Sequence, residues 1–151
     1  MKSLQLIQSD LNKHNIEINI ELDSTVPHLI ADQIQLQQVL LILLRNSIEA
    51  MEHQRNSKNI FITCYPFQTS MVEFFIEDTG LGISKDLLNN LISPCESSKP
   101  NGLGMGLCIC NFIITSNGGT FWHDTDYSSG TRIKFRIPIQ QSSQSSLTAT
   151  A

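Results

Sequence analysis

Three small groups of residues could do chemistry together. Asp78-Thr79-Gly80-Leu81-Gly82 follows Met71–Glu77, a run rich in β-branched and aromatic residues. An ionised carboxylate only accepts hydrogen bonds, so at a strand end Asp78 can take the exocyclic amino group of a base such as adenine. Gly80 and Gly82 permit positive φ and close backbone approach. Asp-Thr-Gly would also suit a plain turn or the nucleophile loop of an aspartic protease. That protease class needs a second matching loop and a β-rich chain, and the sequence has neither. Gly102-x-Gly104-x-Gly106 opens an apolar helical stretch near Met105 and Leu107. Unpaired amides and the positive dipole end at such a start can hold phosphates. There is no GxxxxGK[ST] run, and the glycines do not follow a strand in a βαβ unit, so neither a P-loop nor a dinucleotide fingerprint is present. Lys99, just before the glycines, can reach a terminal phosphate or stay a solvated loop lysine. Asn46 sits in an apolar helix, where an amide is costly unless paired. Its oxygen is a hard donor of the kind Mg²⁺ accepts.

These groups need elements to position them. Ile16–Leu22 alternates apolar and polar residues, as a half-buried strand does. Turn residues occupy Asp23–Pro27. Ala31–His53 follows as a long helix without Gly or Pro, with Leu36, Leu40, Leu43, Leu44, Ser47 and Ile48 on its core face. Asn59–Phe67 and Met71–Glu77 read as a hairpin around Gln68-Thr69-Ser70. Ser84 can cap a short helix to about Leu91. Pro94–Gly104 reads as a loop, and Met105–Asn117 as a helix closed by Gly118-Gly119. Thr120–Asp124 and Thr131–Ile139 read as two last strands. The expected fold class is α+β. It is a two-layer α/β sandwich, with a mixed sheet of about five strands covered by about three helices.

The 151 residues suit one domain, with 40% hydrophobic and 16% charged residues and a net charge of −4. That balance excludes a disordered chain and a basic nucleic-acid footprint. No run is long and apolar enough to span a membrane, and Met1–Asp10 has no signal-peptide core. Cys64, Cys95, Cys108 and Cys110 lack metal-site spacing and read as free, mostly buried thiols. His14, His28, His53 and His123 are scattered. None has the helix-borne setting of a phosphoacceptor, and His123 reads as structural. Residues 1–13 are expected to be the end of a linker or upstream helix, 14–139 the working domain, and 140–151 a disordered tail.

Gln38–Met51, Asp78–Ser84, Lys99–Leu107 and Gly130–Phe135, in this order, resemble the N, G1, G2 and G3 boxes of the ATP-binding domain of sensor histidine kinases. This is the fold of the gyrase, chaperone, kinase and mismatch-repair ATPases, and the variant is nitrogen-regulation-like. The resemblance spans roughly residues 14 to 139. It implies ATP and Mg²⁺ as ligands, with Asn46 on the metal and Asp78 on adenine. Gly80, Gly82, Lys99, Gly102, Gly104, Met105, Gly106, Leu107 and Thr131 would surround the nucleotide, and Glu49 could orient a metal-bound water. The nucleophile would be a histidine on dimerisation helices outside this chain, with a response regulator downstream. The isolated domain is expected to be a cytoplasmic monomer that contacts neither nucleic acid nor membrane and does not phosphorylate itself.

Two departures matter. Ile42 stands one turn before Asn46, where related kinases commonly carry a second asparagine and hydrolysing members of the superfamily a glutamate base. Ile92–Ser98 lacks the two aromatics of the related Phe-x-Pro-Phe lid, so Pro94–Gly104 is expected to be mobile without nucleotide. Hence a degenerate nucleotide- or partner-binding module and an anti-sigma-factor-like serine kinase remain alternatives. A hydrolysing gyrase-type ATPase is disfavoured by Ile42.

Overall fold

The computed structural model describes residues 2–26, 31–84 and 103–139. Within them the chain runs α1 (Lys2–His14), β1 (Ile16–Leu22), α2 (Gln33–Met51), β2 (Lys58–Phe67), β3 (Met71–Asp78), α3 (Leu103–Ser116), β4 (Thr120–His123) and β5 (Thr131–Pro138). The strands form one five-stranded sheet in the order β1-β2-β3-β5-β4. β1 runs parallel to β2 and every other pair is antiparallel, so the sheet is mixed.

Period-two patterning decides which face is covered. Val72, Phe74 and Ile76 of β3 and Ile133, Phe135 and Ile137 of β5 are buried beneath the helices. Phe74 and Phe135 stack at 4.7 Å. The alternate positions put Glu73 against Arg136 and Glu77 against Arg132 on the opposite face. That is the cross-strand pairing an open face favours.

Asp32 starts α2. Its Oδ1 accepts from the backbone N–H groups of Ile34 (2.8 Å) and Gln35 (3.3 Å), satisfying two of the donors left free at a helix start. α2 lies between α1 and α3. Ile7 and Leu11 of α1 are buried in the common core, and the Ser3 hydroxyl donates to the Gln37 carbonyl of α2. The segment expected to be the end of a linker or upstream helix is a helix packed on α2 in this structure. α3 ends where the Gly119 N–H donates to the Ile114 carbonyl at 2.9 Å.

Cys64 and Cys110 are free and buried, and burial pushes both thiols up to about 12. The free-thiol expectation fails at Cys108, which is disulfide-bonded. The expected short helix to Leu91, most of the Pro94–Gly104 loop and the expected tail lie outside the described residues. Among the described residues no helix is long and apolar enough to cross a membrane.

Candidate functional site

A cavity of about 360 Å³ lies between α2 and the helix-covered face of the sheet. α2 contributes Leu43, Asn46, Ser47 and Ala50, one helix face by spacing. β3 contributes Ile76 and Asp78, and β5 contributes Thr131 and Ile133. Leu81, Gly82 and Ile83 close one side, and Leu107 of α3 another. Glu49, His53 and Gln54 also line it. The walls are largely apolar with a few polar groups among them, the usual character of a small-ligand site.

Asp78 is the buried charge of this cavity, only 3% exposed at the end of β3. Its Oδ1 accepts from the N–H groups of Gly80 (2.9 Å) and Thr131 (3.2 Å). Ser47 of α2 lines the cavity beside Asp78, and its hydroxyl helps to hold the charge of the same carboxylate. Burial raises the carboxyl above its ordinary value, while these hydrogen bonds and the nearby His123 pull it back. A carboxylate offers about four lone-pair sites, so these two backbone donors leave capacity for another.

The surrounding backbone is shaped to reach this group. Asp78 and Thr131 are direct partners across β3 and β5. Gly130 precedes Thr131 with φ +148°, and a β-carbon there would lie 2.0 Å from the Asp78 carbonyl oxygen. Only glycine lets the turn approach so closely. Gly82 adopts φ +81° where the chain leaves Asp78. Thr79 serves the scaffold: its Oγ1 accepts from the Asn59 N–H at 3.0 Å and ties the loop to β2.

Asn46 faces the first turn of α3. A β-carbon on Gly106 would lie 3.8 Å from both amide atoms of Asn46 and 2.8 Å from Cγ2 of Ile42. Asn46 Nδ2 is buried and has no hydrogen-bond partner among the described residues. A buried amide left open in this way calls for an explanation.

The structure therefore brings Asn46, Glu49, Asp78, Gly82, Leu107 and Thr131 around one cavity, with Gly80 bonded to Asp78 and Gly106 against Asn46. Gly104 and Met105 lie in α3, and Met105 is exposed to solvent. Lys99 and Gly102 lie outside the described residues. Sequence reasoning put Ser47 on the core face of α2 and missed its place beside Asp78 in the cavity. The available signal was a hydroxyl beside Asn46 in an apolar helix. The apolar walls Ile76, Ile83 and Ile133 carry no chemical signal and were legible only as core.

The family described as "Histidine kinase-, DNA gyrase B-, and HSP90-like ATPase" matches residues 31–141. The chain belongs to this family. Within it, the similar proteins are sensor kinases. Sensor protein FixL of Bradyrhizobium diazoefficiens is 34% identical over 126 residues, 83% of this chain and 25% of FixL. Adaptive-response sensory kinase SasA of Prochlorococcus marinus is 34% identical over 132 residues, 84% of this chain and 35% of that protein. The nucleotide-free catalytic domain of histidine kinase ThkA superposes with a TM-score of 0.76 at 30% identity, covering 91% of this chain and 88% of that one. The chain is thus a histidine kinase catalytic ATPase domain, and it spans about a quarter to a third of the length of these curated relatives.

Proposed function

We propose that this domain binds Mg·ATP in the cavity and presents its γ-phosphoryl to a histidine on dimerisation helices outside the chain. The observation carrying this reading is Asp78, a buried carboxylate held by the Gly80 and Thr131 N–H groups inside a largely apolar cavity. An adenine exocyclic amino group supplies the missing donor, and Leu43, Ala50, Ile76 and Ile133 suit a flat apolar ring. The start of α3 at Leu103–Leu107 would turn its free amides to the phosphates, joined by the Lys99–Gly102 run.

The residues fit a magnesium ion. The Asn46 amide lies beside Gly106, and its oxygen is the hard donor a magnesium ion takes, while Nδ2, unpartnered among the described residues, is free to donate to a phosphate oxygen. Mg²⁺ typically takes one or two protein ligands and completes its shell with phosphates and water. Asn46 would hold it, Glu49 would orient one of its waters, and the ion would neutralise charge on the phosphates. This chain's own part is positioning: Asp78 fixes the base, and the glycine-rich helix start fixes the phosphates.

The phosphoacceptor helices and a response regulator are the proposed partners, with the isolated domain a cytoplasmic monomer contacting neither membrane nor nucleic acid. The structure of ThkA in complex with response regulator protein TrrA, 27% identical over 92% of this chain and 39% of that one (TM-score 0.72), supports the partner class. The finer placement in a nitrogen-regulation-like subgroup rests on the sequence boxes alone. Ile42 favours a second reading, a nucleotide-binding module without transfer activity, because it sets an apolar side chain against Gly106 beside the metal-binding amide.

Calorimetric titration with ATP, with and without Mg²⁺, tests the first reading. Magnesium-dependent binding, followed by phosphorylation of added phosphoacceptor helices, supports it. Binding that ignores Mg²⁺, with no transfer, supports the module. No binding defeats both.

A further inference from the structure

β5 carries an arginine near each end of its open face, and both are built into the same kind of frame. Far from the cavity, Arg136 pairs with Glu73 at 2.9 Å and lies over the rings of Phe67 (3.6 Å) and Trp122 (4.8 Å). Near the cavity, Arg132 pairs with Glu77, reaches Asp124 at 3.3 Å and lies over the Tyr127 ring at 4.2 Å. The two frames enclose different things. Asp124 and Tyr127 belong to the turn between β4 and β5. That turn ends in Gly130, whose backbone abuts the Asp78 carbonyl, and leads into Thr131, whose N–H bonds the Asp78 carboxylate at 3.2 Å.

Arg132 holds each side of this junction. The register pairs Glu77 with Arg132 as it pairs Asp78 with Thr131. Neighbouring residues of a strand point to opposite faces, so the Glu77–Arg132 ion pair lies directly behind the Asp78–Thr131 contact. The Arg132 carbonyl accepts from the Asp124 N–H at 2.9 Å. Asp124 in turn shapes the turn. Its Oδ1 accepts from the Asp126 N–H at 3.1 Å, and its carbonyl accepts from the Tyr127 N–H at 3.4 Å. Lys134 also holds Asp124, at 2.8 Å, so this acid keeps a cation when Arg132 is changed. The side-chain tie from the turn to β3 is what is lost.

We propose that Arg132 is a positioning residue for base recognition: bonded to Glu77 on one side and to Asp124 and Tyr127 on the other, it fixes the β4–β5 turn against β3 and keeps the Thr131 N–H on the Asp78 carboxylate. This role rests on the reading of Asp78 as the base acceptor. Arg132 does not line the cavity and acts from the other face of the sheet. A planar guanidinium can bond two carboxylates and lie on a ring at once, which the point charge of a lysine cannot do.

The test uses the full 151-residue chain and ADP. Arg132→Met, Arg132→Lys and Arg136→Met are compared with wild type by calorimetry, by thermal melts and by the hydrogen-exchange rate of the Thr131 N–H without nucleotide. The two methionine variants each lose an ion pair and its ring contacts, so similar drops in melting temperature are expected. Only Arg132→Met is expected to bind ADP about tenfold more weakly and to exchange the Thr131 N–H about tenfold faster. Arg136→Met should leave both unchanged. Arg132→Lys, which keeps the charge without the fork, should move both in the same direction as Arg132→Met, and it decides the matter if the methionine variant does not fold. Equal losses of affinity at Arg132 and Arg136, or an Arg132 variant with unchanged affinity and unchanged Thr131 exchange, overturns the inference. If wild type binds no ADP, the proposed function fails instead, and the Thr131 exchange alone decides whether Arg132 holds the junction.

Discussion

Asp78 and Thr131 are paired across β3 and β5, and the Thr131 N–H reaches back 3.2 Å to the Asp78 side chain rather than only serving the ladder. The strand pairing that builds the sheet thereby also aims the carboxylate. Two parts of the chain separated by 53 positions become a single recognition element.

Asp78→Asn separates binding from stability. Hydrogen bonds to a charged acceptor are worth about 1.5–3 kcal/mol, so nucleotide affinity is expected to fall roughly ten- to hundredfold. Stability should move the other way. The folded-state pKa of Asp78 is raised, so its contribution is fully present below the ordinary value of 3.8 and is lost as pH rises through the folded value. At pH 7 the buried charge is a cost to folding, and the asparagine removes it. Calorimetry with a parallel thermal melt checks both halves. A lower melting temperature together with unchanged affinity would contradict the account.

Gly106→Ala tests the contact between α3 and α2. The added β-carbon would stand 2.8 Å from Ile42 Cγ2, too close unless the isoleucine turns aside. Overpacking of this kind costs about 1–3 kcal/mol. Ile42→Ala in the same chain opens the space, so the double variant should recover most of that loss relative to Ile42→Ala alone. Denaturant melts of the four proteins give the coupling, and additive losses would show that the two side chains do not meet.

Phe135→Ala tests the core beneath the site. Phe135 is fully buried and stacked on Phe74. Truncating such a ring costs about 3–5 kcal/mol, a large share of the stability of an ordinary domain. A urea melt should show the midpoint falling steeply, and a loss below about 1 kcal/mol would be inconsistent with a packed ring.

Much of this organisation was legible along the chain because local rules and tertiary context agree. Strict alternation in Ile16–Leu22, the capped run after Asp32 and the Gly118-Gly119 stop each carry a short-range cause. Asp78 stood out because a carboxylate followed by two glycines at a strand end has few purely structural uses. Sheet order did not show in the same way. Nothing local in β1 requires a parallel partner, or places β5 between β3 and β4. α1 could be read along the chain only as the end of a linker or upstream helix, because its apolar edge is sparse and Ile7 and Leu11 are buried only where α2 receives them. The burial of His123 likewise exists only after β4 pairs with β5, so nothing along the chain announces it.

That burial has a consequence for stability, separate from ligand binding. The folded-state pKa of His123 lies below its ordinary 6.5, because desolvation outweighs the attraction of Asp124 and Asp78. Between the folded value and 6.5 the unfolded chain binds more protons than the folded one, so stability rises with pH across that window. Acidification from pH 7 should therefore lower the melting temperature in a window just under 6.5. His123→Val removes the titrating group and with it that part of the slope. Above pH 7 the valine also removes two unpaired buried nitrogens, so the variant should melt no lower than wild type there. Melts every half unit, on the order of the resolution a single histidine needs, would show the two curves converging or parallel at alkaline pH and diverging on the acid side. Parallel curves throughout would mean that His123 is already as easily protonated in the fold as in the open chain.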